Sequence, residues 1–130
     1  MEVGITGRQT ILVTEELTAE VFGSGSLPVY ATPGMIALME NIAMNSVQGE
    51  LEEGQGTVGT LIQVEHISAT PVGMRVTCET KLVEVDRKRL VFEVKAFDEK
   101  GLIGQGRHER FVISSEKFLK KAEAKKGENL

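Results

Sequence analysis

YATPGMIALMEN, residues 30 to 41, is the stretch on which the reading of the whole chain turns. Thr32 offers a hydroxyl that can cap a helix N-terminus, and Pro33 suits the first helical position, where its missing N–H leaves no bond unmade. A helix is therefore predicted from Pro33. Its body, Met35 to Val47, carries apolar residues at 35, 36, 38, 39, 42, 43, 44 and 47. These are too many for one stripe, so most of the circumference is expected to be buried. Glu40 interrupts that surface two turns in. At roughly 100° per residue its helical neighbours are Ile36, Ala37, Ala43 and Met44, and an unpaired carboxylate on such a face is costly. The helix itself offers only Asn41 and Asn45 as partners.

Outward from this helix the signals change to period two. Before it, Gly7 to Thr14 reads as a strand, Glu15 to Phe22 as a short helix, and Gly23 to Pro28 as a flexible lid or access loop. After it, Thr57 to Ile67 alternates, placing Val58, Thr60, Ile62, Val64 and His66 on one strand face. Met74 to Val85, Arg89 to Phe97 and Leu102 to Ile113 read as further strands, joined by turns at Asp86–Lys88 and Asp98–Gly101. Ser114 and Ser115 can cap a last helix whose Phe118, Leu119 and Ala122 are expected to face inward, before a frayed tail over 121–130. Consecutive strands with short links are expected to pair antiparallel, and one sheet curled round one apolar helix buries both. The fold class is α+β, one domain over 1–130.

Size and charge narrow the function. A chain of 130 residues that is 41% hydrophobic can build one core. Its formal net charge of -4 argues against nucleic acid. No apolar run reaches the ~18 residues of a membrane span, and Met1 to Gly4 does not open a leader, so a cytoplasmic protein is expected. The single cysteine, Cys78, permits no internal disulfide and reads as a small buried strand residue. Basic residues gather at Arg87, Lys88 and Arg89 and along Lys117 to Lys126. Either cluster is solvated surface or meets the phosphates of a nucleotide-bearing ligand. Gly104-Gln-Gly106 lacks the spacing of a phosphate loop and reads as strand passing close to another backbone or to a ligand's chain.

Three polar residues stand out. Glu40 emerges from an apolar helix, His66 lies by parity on the face that covers it, and Thr32 stands at the helix N-terminus, where backbone N–H groups favour negative charge. Each has a bland account: Thr32 as N-cap, His66 as a satisfied core histidine, Glu40 as a residue with an unseen partner. Together they supply a hydroxyl, a base and an imidazole, the groups of acyl transfer. His108 shares a strand face with Arg110 and is assigned no role beyond contact with ligand.

The run Ala31-Thr-Pro-Gly-Met-Ile-Ala-Leu-Met-Glu40, followed by Val64-Glu-His-Ile-Ser-Ala-Thr-Pro-Val-Gly73, resembles the hot-dog-fold thioesterases related to fluoroacetyl-CoA thioesterase, over about residues 5–120. The resemblance implies a hot-dog fold, an antiparallel sheet wrapped around a long central helix, and a homodimer formed by joined sheets, with a tetramer left open. It implies hydrolysis of a short-chain acyl-CoA to free acid and CoA, with CoA as part of the substrate, no cofactor and no metal. Thr32, Glu40 and His66 match the family's catalytic set, Gly59 its thioester-lining glycine, and Arg110 its basic residue late in the last strand. Where the family's founding member has an aromatic lid, this chain offers Phe22 and Tyr30 amid Gly and Ser. The rival readings are a non-catalytic dimeric acyl-CoA-binding module and, ranked lower, a hydratase or dehydratase of the same fold, which would pair Asp or Asn with His.

Overall fold

In the computed structural model, which describes residues 1–127, the elements run β1 (Thr6–Leu12), a 3₁₀ turn (Glu15–Leu17), α1 (Ala19–Phe22), α2 (Thr32–Gln48), β2 (Gln55–His66), β3 (Arg75–Asp86), β4 (Arg89–Asp98), β5 (Gly101–Ser114), α3 (Ser115–Glu123) and a second 3₁₀ turn (Ala124–Lys126). The short helix expected at 15–22 is broken at Thr18, which has extended backbone angles and turns its hydroxyl back to donate to the Glu15 carbonyl. The helical turns reach Lys126, so the fraying expected from 121 is not found up to there. Residues 128–130 of that expected tail lie outside the described residues.

The strands form one antiparallel sheet in the order β1-β3-β4-β5-β2. β3, β4 and β5 are a meander joined by tight turns, and Arg87 takes a positive φ of 58° at the first of them. β2, however, pairs with β5 and not with its neighbour in sequence, β3. Pairing by consecutive order fails there because the segment 67–74 is not a hairpin. It crosses to the far side of the sheet, held by Tyr30 N–H to the Thr70 carbonyl and by Thr70 Oγ1 donating to Asp98 Oδ2 at 2.8 Å. β2 is left as an edge strand.

α2 packs on one face of this sheet. Gly34, Met35, Met39, Ile42, Ala43 and Val47 form its buried stripe and meet Val76, Cys78, Leu82, Phe92, Val94, Ala96 and Ile103 in the core. Cys78 is fully buried, as expected, and burial pushes its thiol up to about 12. The helix is not buried round most of its circumference. Ile36, Leu38 and Met44 are half-buried and Ala37 is exposed, because a single sheet covers only one side of a cylinder. α3 likewise leaves Phe118 and Leu119 exposed instead of inward.

The glycines of β5 act as expected of a close strand approach. A Cβ on Gly106 would stand 2.1 Å from the Gln63 carbonyl oxygen, and one on Gly104 would stand 2.6 Å from Met35 Sδ. The first obstacle is backbone and cannot swing aside. Gly106→Ala is therefore expected to cost about 3 kcal/mol, the scale of overpacking a tight site, and urea unfolding of the two proteins checks it.

Candidate active site

Thr32 does not cap α2. Ala31 takes the N-cap position with extended backbone angles, and its carbonyl accepts from Met35 N–H at 3.0 Å. Thr32 is thus inside the first turn, and its hydroxyl is free for the end of β2, where Oγ1 lies 2.7 Å from His66 Nδ1. Burial lowers the His66 pKa from the usual 6.5, the nearby Ser68 backbone opposing the fall. The ring is therefore neutral at pH 7, and in the tautomer protonated at Nε2 its Nδ1 accepts from the Thr32 hydroxyl. Its Nε2 is buried without a partner. Together with Tyr30, Ser24 and Ser68 the pair lines a hollow of about 280 Å³.

Tyr30 is only 2% exposed and belongs to the core, with its ring edge-on to His66 at 6.4 Å between centroids. Burial raises its phenol above the ordinary range, and the hydroxyl has no partner. Phe22 stands differently. It is half-exposed on α1, close to the first turn of α2.

Glu40 is not in this hollow. Eight residues at ~1.5 Å rise put it about 12 Å along α2 from Thr32. There, half-buried, it lines a second, shallow hollow of about 290 Å³ with Ala37, Asn41, Met44, Gly59 and Arg110. Gly59 is the reason these groups come together. A Cβ on it would lie 2.8 Å from Glu40 Oε2 and 3.4 Å from Arg110 NH1. Gly59 faces inward because β2 carries a bulge between Gly59 and Leu61. A bulge shifts side-chain parity by one, so Thr57 and Gly59 share the inner face with Ile62, Val64 and His66. The uninterrupted alternation that put Val58 and Thr60 there is corrected.

Arg110 is 5% exposed and anchored from three sides. Nε donates to Thr57 Oγ1 at 2.8 Å, NH2 to the Thr57 carbonyl at 2.9 Å, and NH1 to His108 Nε2 at 3.1 Å. Burial lowers its pKa, and the Glu40 charge opposes that fall. Neither Thr57 nor His108 stood out in the sequence as part of a site. Thr57 was hidden by the unseen bulge; His108 was placed on one strand face with Arg110, but nothing in the pattern tied its ring to a task.

The structure therefore unites Thr32 with His66, and Glu40 with Gly59 and Arg110, as two separate clusters within one chain. A third hollow, about 400 Å³ between Arg8, Glu79, Lys81, Glu93 and Lys95, lies on the outer sheet face. Its lining alternates in sign, which suits solvent better than an acyl chain. Among the described residues no group of His, Cys, Asp or Glu side chains is placed to hold a metal ion, and no helix is long and apolar enough to cross a membrane.

Comparison with known proteins agrees with this architecture. The sequence model of the fluoroacetyl-CoA-specific thioesterase family matches residues 13–116. The fluoroacetyl-CoA thioesterase of Streptantibioticus cattleyicolor is 43% identical over 97 residues, covering 75% of this chain and 70% of that protein. A structure of a fluoroacetyl-CoA-specific thioesterase variant bound to fluoroacetate and CoA superposes with a TM-score of 0.86 at 36% identity, over 91% of this chain and 99% of the other. A hot-dog-like protein from Thermanaerovibrio acidaminovorans superposes with a TM-score of 0.90 at 26% identity, over 98% and 94%. On both sequence and fold, the chain belongs to the fluoroacetyl-CoA-specific thioesterase family, within the hot-dog fold.

Proposed function

We propose that this protein hydrolyses short-chain acyl-CoA thioesters as a cytoplasmic homodimer. The observation that carries the reading is the 2.7 Å contact between the Thr32 hydroxyl and a neutral His66 ring. Thr32 Oγ attacks the thioester carbonyl as its proton passes to His66 Nδ1. The C–S bond then breaks and His66 returns that proton to the departing CoA thiolate, leaving an acyl-threonine. N–H groups in the first turn of α2 face the oxyanion. Glu40 takes a proton from the water that attacks the acyl-threonine and delivers it to Thr32 Oγ as the C–O bond breaks, which frees the acid.

This chemistry needs Glu40 beside Thr32, and a second copy supplies it. β2 is a free edge of 12 residues with neither Pro nor Lys to block pairing. Antiparallel pairing of two β2 strands about a two-fold midway between Gly59 and His66 sets each His66 level with Gly59 of the partner subunit. The Thr32–His66 hollow then faces Glu40 of the partner subunit, and the half-buried Ile36 and Met44 gain cover.

Release of free thiol from a panel of acyl-CoAs tests the reading. CoA esters that bind but never release thiol would replace it with the binding module. The pH profile of kcat/KM adds a second check. Because the His66 pKa lies below 6.5 and the neutral ring is the active form, the rate should be level above that value and fall as the medium becomes more acidic. A rate that rises toward acid would contradict the role of His66.

A further inference from the structure

His108 is fully buried on β5 and stacked on Phe92 of β4, with ring centroids 6.1 Å apart. Each of its nitrogens meets a group that can play only one part. Nδ1 lies 2.7 Å from the Leu61 carbonyl oxygen, which only accepts, so Nδ1 carries the proton. Nε2 lies 3.1 Å from Arg110 NH1, which only donates, so Nε2 carries the lone pair. The ring is held neutral in one tautomer. Leu61 follows directly on the β2 bulge, so the irregularity that turns Gly59 inward also brings His108 its anchor.

Counting donors on the guanidinium shows what this achieves. Of its five N–H groups, three are spent on Thr57 Oγ1, the Thr57 carbonyl and His108. One remains on each terminal nitrogen. Arg110 lines the hollow with Glu40 and Gly59, and two unspent donors there suit a carbonyl or carboxylate oxygen. We infer that His108 is a positioning residue that acts through Arg110, locking the guanidinium so that its two unspent donors meet the acyl oxygen of substrate or product. The inference rests on the thioesterase reading for its consequence, though not for its geometry. The charged groups bearing on the ring are Arg110 and Glu109 from its own strand and Glu40 from α2.

The test compares kcat and KM for acetyl-CoA in wild type, His108→Gln and His108→Asn, each also in an Arg110→Met background. Gln sets a carbonyl oxygen near the position of Nε2 and keeps an acceptor for Arg110. Asn reaches only the Nδ1 position and keeps the tie to Leu61. Asn should lower kcat/KM roughly 30-fold, the scale of a lost charge-assisted hydrogen bond, and Gln roughly threefold. In the Arg110→Met background neither should matter by more than about twofold, since coupled residues are non-additive. Equal damage from Gln and Asn, or additivity with Arg110→Met, would overturn the proposal. A long-range ¹H–¹⁵N spectrum separates this from the thioesterase reading. In wild type it should show one His108 tautomer, protonated at Nδ1, at neutral pH and above. If no acyl-CoA releases thiol, the thioesterase reading fails while these spectra still decide the lock; mixed tautomers in wild type would end it.

Discussion

Glu40→Gln is expected to lower steady-state acetyl-CoA turnover by roughly 1,000-fold, the scale of a lost general base at a hydrolytic step, while leaving the folded protein intact. The substitution is nearly isosteric, and Glu40 is half-buried at the rim of an open hollow, so little packing is disturbed. The sequence of steps makes the expectation sharper than loss of rate. Thr32 and His66 are untouched, so the first CoA should still leave in a burst of about one equivalent per site, after which acyl-Thr32 waits for water that nothing activates. Intact-protein mass spectrometry should find the acyl group, and peptide mapping should place it on Thr32. Full turnover by this variant would remove Glu40 from the chemistry. Slow turnover with no burst would instead put Glu40 before C–S cleavage.

The second expectation concerns where Glu40 acts. Thr32→Ala and Glu40→Gln should each be nearly inactive as pure proteins, yet their mixture, unfolded and refolded together, should recover about a quarter of wild-type activity. Random pairing makes half the molecules mixed dimers. If each site takes Thr32 and His66 from one subunit and Glu40 from the other, one of the two sites in a mixed dimer carries both substitutions and the other carries none. A site built inside a single chain gives no such recovery, because every chain lacks one member. The separation of Glu40 from Thr32 by eight residues of straight helix is what makes the first outcome the expected one. A mixture as inactive as its components would refute the shared site, provided that mixed dimers are present by mass.

Local residue chemistry was enough for much of this protein. Thr-Pro at 32–33 opens a helix, and strict alternation marks Arg89 to Phe97 as a strand, because capping and period-two burial are properties of a few neighbouring residues. The tight turns after Asp86 and Asp98 made the β3–β4–β5 meander legible for the same reason. Glu40 and His66 were conspicuous as polar groups on apolar faces, and that anomaly survives in any environment the fold provides.

Tertiary structure decided the rest. Whether Thr32 caps its own helix or reaches His66 depends on Ala31 taking the cap position and on the end of β2 lying beside it. The bulge at Thr60, which turns Gly59 toward Glu40 and gives His108 the Leu61 carbonyl, arises from how β2 fits along β5, whose paired residues lie 38 or more positions away. The crossover that leaves β2 at the edge is likewise invisible to pattern, since loop length alone does not say which strand lies next. Sequence determined which elements form and which side chains are chemically out of place; only the long-range packing of β2 against β5 and α2 determined which of them meet, because hydrogen-bond partners far apart in the chain are selected by the assembled sheet and not by their neighbours.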